Sequence, residues 1–95
     1  MQERLAALRA QVDEADAALV GALAARWRAV AAIAAHKRAE GIEGYDATRE
    51  RALREQWRAI ADREGLDRAL CDAVFDVVIE RCRNEVTSAC STDES

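Results

Sequence analysis

The sequence has no proline in its 95 residues, only four glycines, and an aromatic content of 4%. Without proline, nothing in the chain forces a helix to kink or stop. Sparse glycine leaves few places for tight turns and provides no glycine-rich phosphate loop. No stretch alternates apolar and polar residues for a useful length, and no segment repeats. His36 is the only histidine, and Cys71, Cys82 and Cys90 are odd in number, with neither metal-ligand nor CxxC spacing. Neither a metal site nor a Cys–His nucleophile pair is expected, and the thiols read as reduced cysteines of a cytoplasmic protein. A basic excess is missing too. The formal net charge is −4, which argues against a general binder of nucleic acid or anionic membrane. Glu3, Arg4 and Arg9 interrupt any signal-peptide-like apolar run at the start. The longest uncharged run in that region, residues 17–25, is too short to cross a bilayer.

What the chain does have is alanine and helical periodicity. In residues 1–40, apolar side chains recur at Leu5, Leu8, Val12, Leu19, Leu23, Val30 and Ile33. Steps of three, four and seven mark one helical face. A continuous helix of that length would be roughly 60 Å long, far more than the about 25–30 Å width of a compact domain this size. Its stripe cannot be covered by the rest of one short chain. A single small core is marginal in any case. Both points predict a second copy of the protein sharing the stripe.

Charges interrupt that stripe. At about 100° per residue, Arg26 falls near 80° and Lys37 near 100°, inside an apolar arc of roughly 60–140°. A cation there needs a partner, either a structural ion pair or a bound anion.

The remainder predicts two further helices. Gly41 is placed to end the first helix as a left-handed cap, and Asp46 to N-cap the second. Leu53, Trp57 and Ile60 form the second helix's apolar stripe. Gly65 ends it, and Asp67 caps a third helix over about residues 67–85. Leu70, Cys71, Val74, Phe75, Val77, Val78, Ile79 and Cys82 cover more than half of that helix's circumference, so it is expected to be well buried. Phe75, Ile79, Cys82 and Val86 share one line of it. Residues 87–95 are polar and aperiodic, a frayed or disordered tail beyond a helical domain of residues 1–86.

Taken together, certain segments resemble the all-helical (AroQ-class) chorismate mutases over residues 5–86. They are Leu8-Arg9-Ala10-Gln11-Val12-Asp13-Glu14-Ala15-Asp16, Leu23-Ala24-Ala25-Arg26, Ala35-His36-Lys37, Tyr45-Asp46-Ala47-Thr48-Arg49-Glu50 and Phe75-Asp76-Val77-Val78-Ile79-Glu80. The resemblance implies an all-α fold of three helices, the first very long, intertwined as a homodimer. It implies the Claisen rearrangement of chorismate to prephenate on the route to phenylalanine and tyrosine, without cofactor or metal. Arg26 and Arg9 would hold the substrate carboxylates, Lys37 a carboxylate and the ether oxygen. Glu50 would accept from the ring hydroxyl, with Asp46 and Arg49 shaping that end. Arg9 and Arg26 are seventeen residues apart, roughly 25 Å along one helix, so one small molecule cannot easily touch both. In the family the first arginine comes from the partner chain.

Two positions depart from the family pattern. Cys82 stands where well-studied members have a serine that contacts a carboxylate, and Val86 where a Gln or Glu donates to the ether oxygen. Other activities on the same fold are isochorismate–pyruvate lyase and a mutase for aminated chorismate, although Asp46-Ala47-Thr48-Arg49-Glu50 looks more like the mutases. A catalytically weak or inactive helical partner protein is the non-enzymatic alternative, favoured by Val86. A plain coiled-coil scaffold would leave Arg26 and Lys37 unexplained.

Overall fold

The computed structural model describes residues 2–42 and 46–92, with side chains as far as residue 84. These residues form α1 (Gln2–Glu40), α2 (Ala47–Glu64) and α3 (Arg68–Thr92), with no strand among them. The molecule measures 60 × 26 × 16 Å, and its radius of gyration is 17.3 Å. A compact chain of this length would have about 12 Å. The excess is α1, whose 39 residues set the long dimension.

The expected punctuation marks are all in place. Gly41 and Gly65 adopt φ of 68° and 71°, the left-handed region that glycine tolerates best. Each closes a Schellman cap. Ile42 N donates to Lys37 O at 2.8 Å and Leu66 N to Ala61 O at 2.8 Å. Asp46 and Asp67 cap the next helices through their carboxylates, which accept from Arg49 N at 3.0 Å and Leu70 N at 2.9 Å. α3 continues to Thr92, past the expected end near residue 85, because no glycine or proline interrupts residues 86–92.

Helix α3 is the middle element. It packs on both α1 and α2, which do not pack on each other. One line of α3 is buried, formed by Cys71, Phe75, Ile79 and Cys82, and Ala61 of α2 and Ala34 of α1 are the buried residues of the helices that pack on it. Trp57 stands edge-on to Phe75, with ring centroids 5.0 Å apart. Polar clamps reinforce the α2–α3 contact. Arg58 grips Asp72 with two hydrogen bonds of 3.0 Å. Arg54 pairs with Asp76 and lies 4.6 Å over the Phe75 ring.

The expectation that α3 is buried around more than half its circumference is not met within one chain. Leu70, Val74 and Val77 are exposed. Periodicity identifies the apolar residues, but one chain has material to cover only one side. The same holds for α1. Residues 2–23 are exposed throughout, including Leu5, Leu8, Val12, Leu19, Val20 and Leu23, and Ala34 is the buried residue of the helix. An 18-residue window of α1 has mean hydropathy 1.5, so by length and composition alone the helix could cross a membrane, although its uncharged run is too short. Arg26 and Arg28 lie in the same helix, and a lipid-facing helix rarely carries charge at mid-length.

Candidate functional site

With α1 and α2 both packed on α3 but not on each other, a cleft opens between them. Its cavity volume is ≈ 130 Å³, and it opens to solvent. Arg26, Val30 and Lys37 of α1 line one wall, spaced four and seven residues apart, as one helical face requires. The Schellman cap fixes the backbone at the end of that wall, since it uses Lys37 O. The opposite wall is the capped start of α2, with Asp46, Arg49, Glu50 and Leu53. Ile79, Cys82 and Arg83 of α3 form the floor.

Local structure places these groups. Asp46 has φ −131° and ψ 99°, outside the helix, so that its carboxylate can turn back onto Arg49 N. It is an ordinary helix cap and a cleft residue at once. The first turn of α2 also brings the positive end of the helix dipole to this wall. Arg26 is half-buried and donates from Nη1 to Cys82 Sγ at 3.2 Å, with its guanidinium 6.0 Å from the Trp57 ring. Lys37 is half-buried as well. Neither cation sits fully inside the core, because the cleft admits solvent where the helical phase alone predicts burial. Glu50, half-buried, pairs with Arg83.

Among the described residues, four cations (Arg26, Lys37, Arg49 and Arg83) face two carboxylates (Asp46 and Glu50), a formal charge of +2 in a chain of net −4. Such a site attracts a small dianion and offers it fixed donors from three helices. Among the described residues no group of His, Cys, Asp and Glu is arranged to hold a metal.

Of the residues singled out from the sequence, the cleft brings together Arg26, Lys37, Asp46, Arg49, Glu50 and Cys82. Arg9 does not join them. It is exposed on α1, roughly 25 Å along the helix from Arg26. The side chains of Val86 and Cys90 are not among those described, while Cys71 and Cys82 are buried free thiols. Val30, Leu53, Ile79 and Arg83 line the cleft without having been singled out as site residues. Arg83 follows Phe75 and Ile79 at steps of eight and four, so its place on the floor was readable from helical phase.

No curated protein and no solved structure matches the chain. The family model described as chorismate mutase type II matches residues 8–86, which takes in all three helices and every residue of the cleft. A long first helix, two shorter ones, and a cationic cleft walled by the first two thus accompany that match, and the chain belongs to the type II chorismate mutase family.

Proposed function

We propose that the protein is a chorismate mutase, converting chorismate to prephenate, and that it works as a homodimer in a reducing compartment. The observation that carries this reading is the cleft joining Arg26 and Lys37 to the Asp46–Arg49–Glu50 turn. The reaction is pericyclic and needs no nucleophile or proton transfer. The substrate is a dicarboxylate that must fold into a compact conformer, while negative charge gathers on the ether oxygen as the carbon–oxygen bond breaks. Cations fixed beforehand in a narrow site favour that conformer and that charge without reorganising. Arg26 holds one carboxylate, and its own position is fixed by Cys82. Lys37 serves a carboxylate and the ether oxygen. Glu50 accepts from the ring hydroxyl, and Arg49 and Asp46 shape that end.

The second carboxylate falls to Arg9 of the partner chain. Support for the dimer comes from the uncovered faces. Leu5, Leu8, Val12, Leu19 and Leu23 leave a continuous apolar stripe exposed along α1, the kind of surface that marks an interface. Two apolar hollows also lie open, one against Trp57, Ile60 and Leu66, the other against Leu23, Trp27 and Val78. A second α1 supplies the shape and apolar surface to fill them.

Val86 favours a second reading, a helical partner that binds a dianion but turns it over poorly. Incubating the purified protein with chorismate and, separately, with isochorismate, and identifying the products, decides between the readings. Prephenate is the expected product. Salicylate and pyruvate from isochorismate would contradict the mutase reading, and a folded dimer without turnover would favour the partner protein.

A further inference from the structure

Arg83 has no part in the mechanism above, yet it lines the cleft and pairs through Nη2 with Oε1 of Glu50. Among the described residues it is the one side chain that bonds Glu50, whose side chain is only 22% exposed. Glu50 poses a physical problem for the proposed reaction. An ionised carboxylate suits a hydroxyl donor, but in a cleft built for a dianion it repels both substrate carboxylates. A cation on Oε1 offsets that repulsion and fixes the side chain, leaving Oε2 for the hydroxyl. The Glu50–Arg83 pair is formally neutral, so Glu50 does not subtract from the cationic groups of Arg26, Lys37 and Arg49 that line the cleft.

From this geometry we infer that Arg83 is a positioning residue for Glu50, allowing an ionised acceptor to share the cleft with a dicarboxylate substrate. The inference rests on the proposed mutase activity. Because the offset repulsion acts on bound substrate and transition state alike, its loss falls mainly on KM.

The test is steady-state kinetics with chorismate on wild type, Arg83→Ala, Arg83→Lys, Glu50→Gln and the Arg83→Ala/Glu50→Gln double variant, each with a thermal melt. Arg83→Ala is expected to lower kcat/KM about tenfold, chiefly through KM, the scale of one charged hydrogen bond. Arg83→Lys should recover most of this loss. In the Glu50→Gln background, removing Arg83 should cost little more, because no repulsion is left to offset. An Arg83→Ala enzyme at wild-type level overturns the inference, while wild-type turnover keeps the mutase reading intact. Equal costs in both backgrounds, or a loss that follows a fallen Tm and is not rescued by lysine, overturn it as well. Wild-type protein that leaves chorismate unchanged defeats the mutase reading itself, and the role of Arg83 goes with it.

Discussion

Arg26 and Lys37 were visible in the sequence because a cation inside an apolar helical arc is costly unless something faces it. The structure puts both on the wall of one cleft. Asp46 was visible for a different reason, its place just ahead of a periodic segment, and its carboxylate does cap α2. Arg83 was not singled out, because its importance depends on α2 approaching α3 so that Glu50 can reach across 33 residues of chain. Helical phase speaks of one element at a time. If Lys37 meets the ether oxygen, its benefit is confined to the transition state. Lys37→Ala should then lower kcat by about 10²–10³, with Tm little changed; a near-wild-type kcat would remove Lys37 from the chemistry. By the family resemblance Val86 would face the same oxygen. Valine cannot donate, so Val86→Gln should raise kcat/KM, by no more than about 2.7–4 kcal/mol in barrier. A fall in kcat/KM at unchanged stability would mean that the site has adapted to valine and lacks no donor.

At the scale of the element, helix ends were more legible than helix surroundings. Gly41 and Gly65 mark the ends of α1 and α2 because the left-handed backbone there suits glycine. The covering of α3 could not be read, since apolar periodicity shows which residues seek burial but not what supplies it. Ion pairs add to the Trp57–Phe75 contact in joining α2 to α3. The hydrogen bonds from Arg58 hold the Asp72 carboxyl below its usual value, and the same bonds raise Arg58. The depressed carboxyl fixes the sign of the pH effect. Stabilisation from this pair is present above the ordinary aspartate value of about 3.9 and is lost as pH falls below it, through the lower folded-state value. Asp72→Asn should therefore melt below wild type at neutral pH, and the gap should close in strong acid. An Asp72→Asn Tm equal to wild type at neutral pH would show that the pair contributes nothing to holding α2 on α3.

For the whole molecule, the length of α1 was the most informative feature of the sequence. A helix about as long as the 60 Å molecule cannot be covered by two shorter ones, and its first half is exposed in the single chain. The placement of Arg9 follows from the same length. It lies too far along α1 to serve the cleft of its own chain, and a second chain running alongside would bring it to that of its neighbour. How two chains interlock is a matter of surfaces meeting, and no pattern within one chain states it. The most direct measurement mixes Arg9→Ala with Lys37→Ala chains, allows subunits to exchange, and follows prephenate formation. Each variant alone should be nearly inactive, because every site in its dimers lacks one group. Hybrid dimers contain one site with both groups, so an equal mixture should recover about a quarter of wild-type activity. An exchanged mixture no more active than its parents, or full activity in either variant alone, would contradict a chorismate mutase site shared between chains.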